Sequence, residues 1–495
     1  MGQVGMPRAP RTIEELGIPS SLVQDLALRR ALYEGRSSTL KLSHGLGLSV
    51  AIITTVVEEL RDLRHIDLLG LEGRDYIFEL TEQGRDTARE RMELSRYAGV
   101  APVNLRDYNT MVQGQHSEPV VSRETMGAAF QDLVISNRML DELGPALLTE
   151  GAMFLYGPPG TGKTSVAERL IRVHTEPVYV PRAVEVDNQI ITVFDPVIHE
   201  PLDDQPADLD PRWVLCHRPS IVVGGELTTS MMDLTYEASN GIYLAPIQMQ
   251  ANNGLLVIDD FGRQTVTPES LLNRWIVPLD RRVDYLSLAY GVRFDIPFDV
   301  KVVFSTNLDP TTLGDEAFYR RIQNKILVSS ITDSEFDEVL VRSAEAAGIV
   351  IAPGAAAYLR DVSRNLGDGD LRPYLPKEVC KILRAVSTYN NTAMVLDQPA
   401  VDRVASIYFT RAGEIRATMA EATLADPPAQ ARTGPALSPP SAPTSNGAGS
   451  NGAAPSVGTP TQAAPSQAAA PTRAAAPSAQ ASADPAADAR GQRPF

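Results

Sequence analysis

The chain has 495 residues with 45 Lys/Arg against 61 Asp/Glu, a formal net charge of −16, which argues against a broad, sequence-blind grip on nucleic acid while leaving a local basic patch open. Two cysteines, Cys216 and Cys380, are too few for a disulfide framework and suit a reducing compartment. The opening MGQVGMPRAP lacks a secretory pattern, Met6 stands where a myristoylation signal wants Ser or Thr, and apolar runs such as SVAIITTVV fall far short of a membrane span. The expectation is a multidomain, cytoplasmic protein without a membrane partner.

Residues 12–97 form one unit. SSLVQDLALRRALYEG has helical spacing behind a serine cap, and STLKLSHGLGL with SVAIITTVVEELRDLR predicts a short helix, a glycine turn and a longer helix. HIDLLGLEGRDYIFELTEQGRDTARERM then predicts two strands around Glu72-Gly73 and a capped helix. This order is similar to a winged helix-turn-helix, and FELTEQGRDTA resembles the wing-to-helix passage of bacterial winged-helix regulators. Such a domain invites a DNA-binding reading. Yet residues 1–100 hold 13 Lys/Arg against 15 Asp/Glu, and beside Arg61 and Arg64 stand Glu58, Glu59 and Asp62. DNA contact and protein docking both stay open.

Residues 98–125 read as a linker, with Gly, Pro and little periodicity. From 126 to 330 the alternation of strand and helix patterns predicts an α/β domain. FLYGPPGTGKTS (154–165) meets the G-x-x-x-x-G-K-[ST] pattern through Gly157, Gly162, Lys163 and Thr164, in a chain with only six lysines. AMFLY before it is a strand run and TSVAERLIRVH after it has helical spacing, the context a phosphate cradle requires. Lys163 is placed to reach β/γ-phosphates and the Thr164 hydroxyl to hold Mg²⁺.

The stretch 177–227 is strand-rich, with acids at Asp203, Asp204, Asp208 and Asp210. It is either a client-binding insertion or an elaboration of the scaffold. His199, Cys216 and His217 lack the paired spacing of a zinc site. NNGLLVIDDFG predicts a buried parallel strand, Leu255 to Ile258, from whose carboxyl end Asp259 emerges to hold the metal shell and Asp260 to polarise the attacking water. VKVVFSTN predicts another buried strand ending in Asn307. EAFYRRIQNKI carries Arg320 and Arg321, and GDLRPYLPKEV puts Arg372 at the mouth of a helix. Guanidinium groups suit phosphate charge because they stay ionised and bind in a fork. Residues 331–420 predict a helical bundle, and the Ala/Pro/Ser-rich residues 425–495 predict a disordered tail.

In this order the motifs resemble the AAA+ ATPases, over roughly residues 120–415. The resemblance implies a P-loop α/β core with a helical lid that binds ATP and Mg²⁺. It makes Gly157, Pro158, Pro159, Gly160, Thr161, Gly162, Lys163, Thr164 and Ser165 the Walker A loop, Asp259 and Asp260 Walker B, and Asn307 sensor 1. It makes Arg320 and Arg321 the arginine finger, reaching a neighbour's nucleotide in a ring oligomer such as a hexamer, and Arg372 sensor 2. The plan of strand, helix, hairpin and strand over 250–307 resembles the branch that includes enhancer-binding transcription activators and MoxR-type chaperones. Two departures stand out. The family usually has Glu where Asp260 stands, and SNGIYLAPIQMQ (239–250) replaces the activators' GAFTGA loop. The reading is an ATP-hydrolysing protein that remodels a macromolecular client. Its rivals are a DNA-associated motor or loader and a nucleotide-gated adaptor with little turnover.

Overall fold

The computed structural model describes residues 5–73, 75–117, 120–149, 151–309, 322–366 and 369–409. The N-terminal unit runs α1 (Ile13–Leu16), α2 (Ser20–Glu34), β1 (Ser37–Ser38), α3 (Thr39–Leu46), α4 (Val50–Asp62), β2 (Ile66–Glu72), β3 (Asp75–Leu80) and α5 (Glu82–Leu94). Side-chain caps start α3, α4 and α5, with Ser38 accepting from the Lys41 N–H, Ser49 from Ile52 and Thr81 from Gly84. The serine cap expected for α2 does not form, because Ser20 is already helical and the N-cap is Pro19 without a side-chain bond. The three strands form an antiparallel sheet in the order β1-β3-β2. Arg64 lies beyond the end of α4, in a left-handed turn with φ 61°.

Residues 98–125, expected as a linker, contain β4 (Val103–Asn104) and α6 (Leu105–Gly114), and α7 begins at Arg123. Tyr108, Met111 and Val112 recur at helical spacing and are buried, and Asn104 caps α6 by accepting from the Asp107 N–H. The flanking Gly and Pro residues hid one short amphipathic helix that a neighbouring sheet covers.

The chain continues through α7 (Arg123–Ala129), α8 (Asn137–Leu148), β5 (Met153–Tyr156) and α9 (Lys163–Arg169). Here the expected α/β alternation is interrupted. β6 (Val178–Pro181), β7 (Ala183–Val186), β8 (Gln189–Thr192) and β9 (Trp213–Cys216) precede β10 (Ser220–Val223), followed by β11 (Thr235–Glu237) and β12 (Ile242–Leu244). Four of these strands join β4 in a mixed sheet, β11-β12-β8-β7-β4, and β6 pairs with β9. This strand-rich unit is wedged under the N-terminal one. Ala183, Ile190 and Ile242 belong to the same buried cluster as Leu26, Ile53 and Phe78. Backbone bonds run from Arg96 N–H to the Asn240 carbonyl and from Ala101 N–H to Leu46.

Asp210, grouped by sequence with an acidic loop, does not share the exposure of Asp203, Asp204 and Asp208. It is buried, and its carboxylate accepts a forked pair from the equally buried Arg212, Nη2 to Oδ2 at 2.8 Å and Nε to Oδ2 at 3.0 Å. Arg212 also donates to the Pro102 carbonyl. His199 likewise has a structural setting: its Nδ1 accepts from the Asp195 N–H and its Nε2 meets the Gln250 carbonyl.

After α10 (Ile247–Gln250) come β13 (Gly254–Ile258), α11 (Pro268–Arg281), the hairpin β14 (Val283–Ser287) and β15 (Arg293–Pro297), β16 (Val300–Thr306) and β17 (Asn324–Leu327). The core sheet is five parallel strands in the order β10-β13-β16-β5-β17. Both faces are covered, so its strands are apolar at successive positions. Phe154, Leu256, Ile258, Val302 and Phe304 face a cluster with Trp275 and Phe261. Met153, Leu155, Leu255, Val257 and Val303 face one with Leu143, Val166 and Leu170.

The lid comprises α12 (Asp333–Ala347), β18 (Val350–Ile351), α13 (Ala355–Leu366), α14 (Tyr374–Asn390), β19 (Val395–Leu396) and α15 (Gln398–Tyr408), around a core of its own. Thr332 and Glu335 close a capping box at the start of α12. No single helix among the described residues is long and apolar enough to cross a membrane. Replacing Asp210 with Ala should leave the Arg212 guanidinium buried without its partner, a loss of about 3–5 kcal/mol, seen as a lower urea midpoint for the full chain. An unchanged midpoint would show that the pair is dispensable.

Candidate functional site

The site lies at the carboxyl edge of the parallel sheet, where strand register brings distant residues together. Tyr156 pairs with Thr306 and with Leu327, so the next residues, Gly157, Asn307 and Val328, emerge side by side. Ile258 pairs with Phe304, which sets Asp259 and Asp260 beside them.

Two glycines in the loop have no replacement. Gly157 has φ 145°, and a Cβ there would lie 2.3 Å from the Val328 carbonyl oxygen. Gly160 has φ 78°, and its Cβ would meet the Tyr374 ring at 2.4 Å, with Arg372 Cδ at 3.5 Å. The loop therefore passes hard against both the sheet and the first turn of lid helix α14.

Lys163 is 6% exposed. Its ammonium donates to the carbonyls of Gly157 (3.1 Å) and Pro158 (2.8 Å) and to Asn307 Oδ1 (2.7 Å). Burial pushes its pKa down, the carboxylates of Asp259 and Asp260 oppose this, and the Arg372 charge adds to the depression. Asn307 turns its Nδ2 to Asp260 Oδ1 at 2.8 Å, so one amide joins the lysine to the acid. Thr164 Oγ1 donates to Asp259 Oδ2 at 2.8 Å. Hydroxyl and carboxylate together offer the oxygen ligands a hard divalent cation prefers.

Asp260 has φ 48°, an uncommon backbone for a non-glycine residue. The surrounding turn holds it there. Arg263 N–H bonds to the Asp260 carbonyl, Phe261 N–H to Ser305, and the Thr306 hydroxyl to the Phe261 carbonyl at 2.7 Å. Gln264 adds a bond from Nε2 to the Asp259 carbonyl and accepts from Gly262 N–H.

A cleft of about 1130 Å³ opens over these groups. Pro159, Gly160, Thr161, Gly162, Lys163, Thr164, Ser165, Asp259, Asp260 and Asn307 all line it. The Thr161 hydroxyl is spent within the loop, on the Pro158 carbonyl at 3.0 Å. Arg372 sits just before Pro373, the residue that caps α14, on the lid side of the loop. Arg320 and Arg321 lie outside the described residues.

Sequence reasoning did not find the opposite wall. It consists of the turn before α8, including Leu133 and Ile135, and the lid face carrying Val339, Lys377, Lys381 and Arg384. The last three fall at i, i+4 and i+7 of α14, a spacing visible in the sequence but carrying no motif. Arg342 of α12 fastens this wall by donating to the Gln131 carbonyl at 3.0 Å.

Lys163→Ala should remove nucleotide binding from calorimetric range, since each charge-assisted phosphate contact is worth about 1.5–3 kcal/mol. ATP affinity equal to the parent's would show that the loop does not cradle phosphate.

A family model described as a domain of unknown function, DUF8689, matches residues 332–407, which is the lid. No curated protein matches the chain. Among solved structures, a Thermotoga maritima RuvB, titled a Holliday junction branch migration motor, is similar over 59% of this chain and 72% of its own, at 16% identity and TM-score 0.31. The FIGL-1 AAA domain is similar over 64% of this chain and 95% of its own, at 11% identity and TM-score 0.31. The fold assignment rests on this chain's own strand order, glycine loop and lid. A parallel sheet with the glycine-loop strand between β16 and β17, paired acids at the next carboxyl end and a helical lid over the loop give the chain a P-loop nucleotide-binding fold of the AAA+ kind.

Proposed function

We propose that the protein hydrolyses ATP and couples the cycle to remodelling or assembling a macromolecular partner, acting as an oligomer. The observation that carries the reading is the hydrogen-bonded line from Lys163 through Asn307 to Asp260, with Thr164 on Asp259 beside it. Incoming β/γ-phosphates replace the Gly157 and Pro158 carbonyls as partners of the Lys163 ammonium, while loop N–H groups take the remaining phosphate oxygens. Thr164 and Asp259 would hold Mg²⁺, whose charge draws electrons from the phosphate oxygens. Asp260 orients the attacking water and accepts its proton, and Asn307 holds the Asp260 carboxylate at the end of the line. Arg372 approaches the loop from the lid side, where it is placed to favour lid closure on a charged nucleotide.

The N-terminal unit is the recruiting element in this reading. Its helices around a three-stranded antiparallel sheet support a winged-helix assignment, and its packing against the strand-rich unit supports transmission of force. A second reading, the nucleotide-gated adaptor, draws on one observation. Asp260 is a methylene shorter than the usual glutamate, and its Oδ1 is already engaged by Asn307.

Steady-state phosphate release separates the two. Asp260→Asn should still bind ATP and lose about 10²–10⁴-fold in turnover, the range of general-base catalysis. A parent rate in that variant would remove Asp260 from the chemistry, and a parent protein near background with tight ATP binding would favour the adaptor.

The oligomer is tested by complementation. Arg320→Ala or Arg321→Ala should bind ATP yet lose about 10³–10⁵-fold in rate, the worth of a finger supplied in trans. Mixing either with Lys163→Ala should recover activity, because each protomer then supplies what its neighbour lacks. Full activity at high dilution, or no recovery in demonstrated mixed assemblies, would overturn the shared site.

A further inference from the structure

The N-terminal unit carries a surface that its own fold leaves uncovered. β2 occupies the end of the three-stranded sheet, so one of its backbone edges is unpaired among the described residues. Along it Leu68, Leu69 and Leu71 are 38%, 47% and 58% exposed, with Leu63 of the preceding turn at 49%. The register explains how they group. Leu68 lies opposite Phe78 and Leu71 opposite Tyr76, with the bulge falling at Leu69. Phe78 and Tyr76 are two apart on a regular strand and share a face, so the bulge brings Leu68 and Leu71 onto one face as well. In an unbulged strand residues three apart point to opposite sides. Of the devices that guard such edges β2 has neither lysine nor proline, and it keeps a bulge and the acids Asp67 and Glu72.

The charge around this edge is acidic. On the hairpin Asp67 lies opposite Glu79 and Glu72 opposite Asp75, and neither β2 nor β3 carries a lysine or arginine. A phosphate backbone would meet repulsion here and would gain nothing from exposed leucines. A partner with apolar and basic side chains would find both needs met.

We infer that β2 is a docking edge for an extended protein segment of alternating apolar and basic residues, which adds as a fourth strand. Main-chain bonds to the open edge hold the segment, Leu68 and Leu71 receive its apolar side chains, and the surrounding carboxylates receive its cations. The inference names a partner class for the recruiting unit proposed above. It rests on that proposal only for its purpose, because docking is measured without nucleotide.

The test uses the full chain and a fluorescein-labelled nine-residue peptide of alternating leucine and lysine, followed by anisotropy. The peptide should bind about tenfold or more tightly than a serine–lysine or a leucine–glutamate peptide of the same length. Leu68→Ser/Leu71→Ser, which removes the apolar contacts without adding charge, should lose about tenfold, while its melting temperature and ATP binding stay at parent values because both side chains are exposed. Methylating alternate backbone nitrogens should abolish binding in one of the two registers and spare the other, since only one set of N–H groups faces the edge. Equal binding of the serine–lysine peptide, indifference to the double substitution, equal tolerance of both methylation registers, or tighter binding of a 20-base-pair duplex would each overturn the docking edge. Its failure leaves ATP turnover untouched, so the two proposals fail separately.

Discussion

Lys163, with only 6% of its surface exposed, is the constraint around which the carboxyl edge of the sheet is arranged. An unpartnered charge there would be costly, so the groups that the Lys163 ammonium bonds are all acceptors, and the Asp259 and Asp260 carboxylates offset the opposing charge of Arg372. The loop must curl back to offer the Gly157 and Pro158 carbonyls, which demands the positive φ of Gly157 and the absence of a Cβ against Val328. β16 must lie directly beside β5 so that Asn307 reaches the same nitrogen. β13 must follow on the other side of β16 so that Asp259 and Asp260 supply the opposite charge. The strand order is thus tied to the electrostatics of one side chain.

The same edge is joined to the rest of the chain through the hairpin before the sensor strand. β14 and β15 do not project freely. Ala289 N–H donates to Tyr243 Oη at 3.0 Å, Tyr290 Oη to Asp187 Oδ2 at 2.8 Å, and Asn109 to the Asp295 carbonyl. Leu286, Phe294 and Ile296 share a buried cluster with strands of the inserted sheet. That sheet in turn shares a cluster with the N-terminal helices. Close-packed interiors transmit displacement instead of absorbing it, and here the hairpin, the inserted sheet and the N-terminal helices are joined by continuous packing. The Asp284–Arg274 pair, Oδ1 to Nη1 at 2.6 Å, anchors the root of the hairpin to α11.

The lid contributes differently. It has its own core and its own caps, and it meets the phosphate loop through the Arg372-Pro373-Tyr374 corner at which α14 begins.

Much of the phosphate-binding edge was legible in the sequence. Glycine spacing, an apolar run before it and an acid pair after a second apolar run are local patterns, and local backbone physics ties each to a conformation. The cap at Thr81 was equally local, whereas the serine cap expected for α2 is replaced by Pro19. Asp210 and the α6 segment were misjudged for one reason. Whether a carboxylate is solvated or paired, and whether a Pro- and Gly-flanked stretch is loose or folded, depends on which distant surface covers it. Arg212 and the inserted sheet decided those cases. By itself the sequence determined the chemistry available at residues 157–165, 259–260 and 307, because strand, turn and helix propensities act over a few residues. Only the tertiary structure decided that Asn307 bridges Lys163 to Asp260, that the hairpin is held under a second sheet and that a bulge turns Leu68 and Leu71 to one side. Each of these is a matter of strand register and packing between segments far apart in the chain, which no local preference encodes.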